Sequence, residues 1–523
     1  MKAGRLLLFA AILAVFSCTG REEIVPVNNP ELRSITPSVY SLVIPAGEDV
    51  NLSFKVESPY YQFNYSVSTP ECQVALLQSG GKTPTEYYLK DVFASGGTGS
   101  YTAVIADSGL GKTYETSATL AIKLGNDAYV LSQPIRIISE NDPAGTVKTG
   151  LPVVYVNTDN GAKITSKTEF VKASFSVKGT RTLPGMDAVS CRIRGRGNTT
   201  WTWPKKSYLV ALDHRASVLG MPEHKRWVLL ANFMDRTLMR NLVSMKVSSL
   251  MTHLAWTPRC VPVELVLNGK HVGSYLLIEQ VRVDKNRVDI DEDNGLLYEL
   301  DFHYDNPIQW KDHGIPFSIK YPDEDDITSD QKTYAKQYIA EVANTIYGSN
   351  FKDKENGYAK YLDVESYIDY WLVYEVMTNH ELGNPGSVMF HKDLGGKLTA
   401  GPCWDFDWGV LSFYTCNGAN ALVNGHAIWY DRLFQDPDFK AKVKARFLEL
   451  KPQLQEIPNY MEDCRTLLSE SAKLNFAMWN PADDKSQNGG NIINGDENLT
   501  FDAAVDRLKK NFNTHLKVIE SKL

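Results

Sequence analysis

The 523-residue sequence is poor in cysteine, has no excess of basic charge, and carries no long apolar run beyond its first twenty residues. Its seven cysteines, Cys18, Cys72, Cys191, Cys260, Cys403, Cys416 and Cys464, are irregularly spaced. None forms a Cys-x-x-Cys pair, which excludes the paired-ligand pattern of a structural zinc site. Cys403, close to Asp405, reads as a small buried residue rather than a nucleophile. Lys and Arg number 55 against 62 Asp and Glu, for a net charge of −7. With no basic stripe, a nucleic-acid partner is excluded. No segment approaches the roughly 20 apolar residues needed to span a bilayer as a helix. Repeats and low-complexity tracts are absent, so a solenoid is excluded as well.

What is there begins with a leader. Lys2 and Arg5 precede an apolar run from Leu6 to Phe16, the charged start and short hydrophobic centre of a secretory signal. Val15-Phe16-Ser17-Cys18 resembles a bacterial lipobox, with a polar tether following it. That resemblance implies a signal peptide over 1–17, lipidation of Cys18, a tether over 18–33, and an exported protein anchored to the outer membrane or cell surface without spanning it. The plainer alternative is an ordinary signal peptide with an incidental cysteine. Export would permit disulfides.

From Ile35 to Ser139 apolar and polar residues alternate, as in Val50-Asn51-Leu52-Ser53-Phe54-Lys55-Val56, between turn signals such as Pro45-Ala46-Gly47. This predicts an antiparallel, immunoglobulin-like β-sandwich over 34–145, a spacer or adhesion module without a titratable cluster. A polar stretch, Ser139 to Gly145, separates it from the remainder, 150–523. There the pattern predicts strands at 151–156, 169–177, 261–267 and 274–278, the last two joined by an Asn268-Gly269 hairpin turn. Helices are predicted at 238–254, 329–347, 364–378, 438–450 and 501–521, with Asp363 and Thr500 as N-caps. Strands followed by helices give an α+β domain.

Three clusters could carry chemistry. The first is Arg194-Gly195-Arg196-Gly197-Asn198-Thr199-Thr200-Trp201 with Lys205 and Lys206. Glycines that admit a close ligand, beside cationic donors, are what a phosphate cradle requires; an ordinary glycine turn with basic neighbours is the plainer reading. The second is Trp404-Asp405-Phe406-Asp407-Trp408-Gly409, placed after a Gly395-Gly396 turn on a second strand. Two carboxylates at period 2 share one strand face and suit a hard cation such as Mg²⁺; alternatively one caps a turn and the other is solvated. The third is Asn379-His380-Glu381, where a carboxylate could act as general base or complete a metal site, while His380 reads as a helix-end cap.

Taken in order, these stretches resemble the CotH (spore coat protein H) kinase family. The resemblance also includes Leu219-Gly220-Met221-Pro222, Trp227 to Asn232, Asp235 with Arg240-Asn241, Gly273 to Gln280, Asp284 to Val288, and Glu299-Leu300-Asp301. It implies an atypical protein-kinase-like domain that uses ATP and Mg²⁺ or Mn²⁺ to phosphorylate serine or threonine of cell-envelope or secreted proteins. By it, Lys206 contacts nucleotide phosphates and Glu279 orients that lysine. Arg196 and Asn198 shape the phosphate-facing loop, Asp405 and Asp407 hold metal, and Glu381, Asp405 and Asn379 form the catalytic group. An ordinary GxGxxG loop and an HRD motif are absent. Glu381 stands where the family commonly has aspartate, one methylene shorter. Two other functional classes therefore stay open: a kinase-like binding or structural module without catalysis, and glycan binding or hydrolysis, for which Asp405 and Asp407 do not by themselves establish the separated carboxyl pair.

Overall fold

The computed structural model describes residues 34–523 apart from 46–48, 58–71, 79–87, 95–98, 107–113, 125–128, 141–146, 148, 304–305, 482–493 and 497. The expected signal peptide, tether and Cys18, and most of the polar stretch before residue 146, lie outside the described residues. The chain divides into two compact units. One runs to Lys148 and includes Thr180–Thr182; the other comprises Thr149–Gly179 and Leu183–Leu523.

The first unit is built of strands: β1 (Ser34–Pro37), β2 (Ser41–Pro45), β3 (Asp49–Glu57), β4 (Cys72–Gln78), β5 (Tyr88–Ala94), β6 (Ser100–Ala106), β7 (Tyr114–Leu124), β8 (Val130–Leu131) and β9 (Ile135–Glu140). Two sheets result, ordered β1-β3-β6-β5 and β2-β9-β7-β4, with β8 on β7. Alternation sorts side chains by face: in β3, Leu52, Phe54 and Val56 are buried while Asn51, Ser53 and Lys55 are exposed. These buried residues join Ile122 and Ile137 of the other sheet in one core. The β2–β9 pair is parallel, where antiparallel pairing throughout was expected. Periodicity reports which face is buried and is silent on strand direction.

The second unit mixes sheet and helix. Strands β10 (Val153–Thr158), β11 (Val171–Lys178), β12 (Met186–Arg196), β13 (Ser207–Val218), β14 (Met221–Leu230), β15 (Cys260–Leu267) and β16 (Lys270–Glu279) close into a barrel ordered β10-β11-β12-β13-β14-β16-β15. Parallel pairing of β10 with β15 completes the closure. Tyr208, Val210 and Leu212 of β13 point into the barrel with Phe175, Ile193 and Trp227. The intervening Leu209 faces outward and packs with Val228, Leu276 and Ile278 against the rest of the unit. The β15–β16 turn is the expected Asn268-Gly269, both left-handed (φ 51° and 74°).

A second sheet, ordered β18-β19-β17-β20-β21, consists of β17 (Leu296–Leu300), β18 (Gln309–Asp312), β19 (Ile315–Tyr321), β20 (Val388–Lys392) and β21 (Leu398–Ala400). Around it lie α1 (Arg240–Ser248), α2 (Ser329–Tyr347), α3 (Val364–Val376), α4 (Pro437–Leu454), α5 (Ile457–Met478) and α6 (Phe501–Lys522). Asp363 and Thr500 cap as expected, accepting from Ser366 N and Ala503 N, each at 3.2 Å. Helix α1 is much shorter than the expected 238–254, and α5 was not expected, although Ile457, Met461, Cys464, Leu468 and Ala472 recur at helical spacing. Helix α3 is buried almost all round. Its Asp369 is held by Arg446 (2.8 and 3.0 Å) and its Glu375 by the N–H groups of Val423 and Asn424 and by His515, which satisfies carboxylates that burial would otherwise penalise. No helix among the described residues is long and apolar enough to cross a membrane.

One barrel histidine makes the fold pH-dependent. His224 is buried, and its Nδ1 accepts from Arg226 N at 2.8 Å. Burial, with Arg287 and Arg215, outweighs Asp284 and pushes the imidazole down to about 4 from an ordinary 6.5. Between those values the unfolded chain binds more protons, so stability is full above about 6.5 and is lost as pH falls toward 4. His224→Asn keeps an acceptor and cannot titrate. Urea melts of that variant are expected to flatten this pH dependence by up to about 3 kcal/mol; equal slopes would contradict the assignment.

Candidate active site

Strand β21 ends at Ala400, so Asp405 and Asp407 do not lie on a strand as the period-2 reading held. They stand on the loop that follows it. The alternation survives without the ladder: Trp404 and Phe406 are buried, while Asp405 and Asp407 are only half-buried. At Asp405 the backbone turns left-handed (φ 64°), a conformation aspartate tolerates better than most residues. Several contacts fix this turn. Phe406 N donates to Asn241 Oδ1 of α1 at 2.9 Å, and the Phe406 ring lies 4.7 Å from Tyr374 of α3. Asn494 brackets the far end, accepting from Gly409 N (3.0 Å) and donating to Asp407 O (3.2 Å).

Arg240 lies beneath the loop and is 1 % exposed. Its guanidinium pairs with Asp235 and with Asp496 (2.7 Å), and its Nε donates to Val410 O at 2.8 Å. Burial alone would lower its proton affinity, but Asp496 and Asp235 raise it above the ordinary arginine value. Asp235 also accepts from Thr237 N and Arg240 N. One cation thus joins the loop after β14, the acid loop and the segment leading to α6.

The opposite wall follows α3. Thr378 is left-handed (φ 52°), and buried Asn379 accepts from Glu381 N at 2.9 Å while its Nδ2 reaches Asp405 O at 3.5 Å. Glu381 Oε2 is buried with no hydrogen-bond partner among the described residues. From the barrel comes Arg196, the last residue of β12, its guanidinium 5.3 Å from the Trp404 ring centroid. From the second sheet comes Glu299, which accepts from Lys320 Nζ at 2.6 Å and Asn306 Nδ2 at 2.8 Å.

The charges are unbalanced. Burial is the leading cause of each upward shift. It raises Glu381 well above the carboxylate range, with Asp405, Asp407 and Asp301 adding to it. Asp407 is pushed up to about 8 by burial, Asp405 and Asp235, against Arg196 and Arg240. Asp405 is raised too, with Arg196 opposing and Glu299 adding. Glu299 alone is held below its ordinary value: Lys320, Asn306 and Arg196 overcome its burial. Asp405, Asp407 and Glu299 thus share the Arg196 guanidinium, an arrangement that favours a further cation. Among the described residues no three His, Cys, Asp or Glu side chains form a closed metal cage. Any ion held here would draw its remaining ligands from water and substrate oxygens.

The site therefore gathers Arg196, Asn379, Glu381, Asp405 and Asp407. Other sequence candidates are engaged elsewhere. Glu279 does not orient Lys206; its carboxylate accepts from Arg259 N and Nε (2.8 and 2.9 Å). Lys206 Nζ donates to Trp201 O at 2.7 Å and lies 5.3 Å from the Trp201 ring centroid. Asn198 Oδ1 accepts from Lys167 at 3.0 Å. The glycines expected to admit a ligand are filled by the chain itself. A Cβ at Gly195 would lie 2.2 Å from the Trp201 ring, and one at Gly197 (φ 94°) 1.9 Å from Thr200 Oγ1. Arg194-Gly195-Arg196 is strand, and the connection to β13 begins at Gly197. Cys403 is fully buried and pushed up to about 12 by that burial, as expected of an inert thiol. Residue-level reading missed the placing roles of Asn241 and Arg240, and the charge of Glu299 with Lys320. Arg240, Asn241 and Glu299 belonged to the resembling stretches, and that was the signal available.

A family model described as "CotH kinase protein" matches residues 193–519, more than half of the chain. No curated protein matches. Among solved structures, a chain titled "Marsupial T cell receptor" aligns at 12 % identity over 35 % of this chain and 92 % of its own. Its TM-score of 0.16 is too low to bear on the fold.

Two variants test the scaffold. Arg240→Met strands two buried carboxylates and is expected to destabilise by about 3–5 kcal/mol, measured by thermal or urea melts. Lys205 is 1 % exposed, and its Nζ donates to Ala231 O (2.8 Å), Ser274 O and Asn475 Oδ1 (2.8 Å). Lys205→Met leaves those acceptors empty and should cost at least about 2 kcal/mol; a neutral outcome would remove Lys205 from the supports of the barrel.

Proposed function

The chain belongs to the CotH kinase family, and we propose that it is a metal- and ATP-dependent phosphotransferase acting on serine or threonine of cell-envelope or secreted proteins. In this reading the second unit is an atypical protein-kinase-like domain, its barrel lying over the nucleotide and its helical half carrying the acids. The observation that carries the reading is the gathering of Asp405 and Asp407 at the Arg196 guanidinium, with Glu381 beside them on the Asn379 turn and its Oε2 without a hydrogen-bond partner among the described residues. Oxygen-only donors of this kind fit Mg²⁺ or Mn²⁺. When bound, the ion would neutralise the transferring phosphates.

Asp405 and Asp407 would hold the metal. Arg196, braced on Trp404, would face phosphate oxygens. Glu381 would accept the proton of the attacking hydroxyl, a role that requires a bound cation first to offset the burial and neighbouring acids that now hold a proton on it. Asn379 positions Glu381 by accepting from its backbone N–H. A second reading, a kinase-like module that binds without transferring, is favoured by the engagement of Lys206 at Trp201 O and of Glu279 at Arg259.

Fluorescent-nucleotide titration and radiolabel transfer separate the two. The native protein is expected to bind ATP only with Mg²⁺ or Mn²⁺ and to label a protein acceptor. Asp405→Asn should lose both by about a hundredfold or more. Glu381→Gln should keep nucleotide binding and lose transfer by about 10²–10⁴-fold. Binding without transfer supports the module, and no metal-dependent binding sinks the kinase reading.

The same proposal includes an exported, lipid-anchored protein whose first unit is an immunoglobulin-like spacer. The sequence of residues 1–33 supports it. Cys18→Ser should abolish radiolabelled palmitate incorporation and move the protein from the membrane to the soluble fraction; unchanged fractionation would contradict anchoring through Cys18.

A further inference from the structure

A cluster of like charges lies on the outward face of the barrel, along the strand that ends at Arg196. Strand pairing sets Arg192 of β12 opposite Ala211 of β13, and Ala211 opposite Arg226 of β14. Paired residues share a face, so Arg192 and Arg226 flank one small alanine. Arg194 shares that face two positions along. Their guanidiniums surround one ring: Arg192, Arg194 and Arg226 lie 5.4, 5.1 and 5.6 Å from the centroid of Phe170. Arg282 adds a fourth charge, felt by both Arg194 and Arg226, and brings one carboxylate, Asp323 at 3.3 Å.

Four guanidiniums repel one another, and Asp323 is the carboxylate that an ion pair brings to them among the described residues. In a chain of net charge −7 such a concentration is locally unfavourable unless an anion meets it. A nucleotide carries its negative charge in its phosphates, which the Arg196–Asp405 end would hold. Arg192 stands four residues back along the same extended strand, about 13 Å away, so its charge calls for a different anion. An extended polypeptide has the same rise per residue, so an acidic side chain about four residues from an acceptor hydroxyl would meet the cluster.

We propose that Arg192, Arg194, Arg226 and Arg282 around Phe170 form a docking site for an acidic protein segment, giving the enzyme a preference for serine or threonine with acidic residues about three to five positions away. The acceptor part of this inference rests on the phosphotransferase reading; the docking part does not.

The test uses fluorescein-labelled peptides with one central serine, flanked at three to five residues by glutamates or, in the control, glutamines. Anisotropy is read with the full-length protein in the absence of nucleotide. The glutamate peptide is expected to bind at least about tenfold tighter than the glutamine peptide, and to weaken steeply with salt. The double charge reversal Arg192→Glu/Arg226→Glu should abolish that preference while leaving metal-dependent ATP binding intact. Equal binding of the two peptides by the native protein overturns the proposal without any variant. So does loss of ATP affinity in the double variant with its peptide preference intact, which would give the cluster to the nucleotide. Failure of ATP binding in the native protein would instead sink the phosphotransferase reading, while the peptide preference would still be measured.

Discussion

The buried guanidinium of Arg240 is the constraint on which the site depends. It is bound on three sides, by Asp235 from the end of β14, by Val410 O from the acid loop and by Asp496 from the segment before α6. Each of these is irregular backbone, and none would hold its course through apolar packing alone. A charge buried in this way is tolerable only when its partners surround it. The reverse holds too: Asp235 and Asp496 are buried because Arg240 is there. Arg240 anchors the acid loop at Val410 O, and its neighbour Asn241 holds Phe406 N between the two acids, so α1 fixes the loop from consecutive residues.

Electrostatics then divide the unit. Where Arg240 and Asp235 pair, charge is balanced and the structure is closed. Where Asp405 and Asp407 meet Arg196, with Glu381 close by, the acids outnumber the cation, and burial makes that shortage costly. On the outer barrel face the imbalance has the opposite sign, with guanidiniums crowded around Phe170. The two imbalances lie at successive positions of one strand, β12, whose outward side chains run Arg192, Arg194, Arg196. Groups left unsatisfied by their own chain mark where another molecule is accommodated. The two glycines between these arginines and Trp201 do the opposite: their space is taken up internally, and they serve the shape of the hairpin.

Legibility in the sequence followed the range of the forces involved. Helix α2, the caps at Asp363 and Thr500 and the Asn268-Gly269 turn depend on neighbours within a few residues, and each was readable. Strand β12 was not, because its outward positions carry arginines where a half-buried strand normally alternates with neutral polar residues, and the glycines suggested a loop. Helix α5 had the right spacing and was passed over. The acid pair was found for a reason that failed: it is an alternating segment but not a strand, and its common face comes from a left-handed turn rather than from a pleat.

By itself the sequence determined the elements whose causes are local, the identity of the acids, and, through the ordered set of motifs, the family. Tertiary structure decided what those acids face. Asp496 lies 256 residues from Arg240, and no periodicity links them. Glu279 could have served Lys206 or Arg259, and only the closure of the barrel gave it to Arg259. Burial, Asp405 and Asp235 raise the proton affinity of Asp407 against Arg196 and Arg240. The physical reason is common to all three: Coulombic coupling and burial depend on distance in space, and the chain fixes that distance only once it has folded.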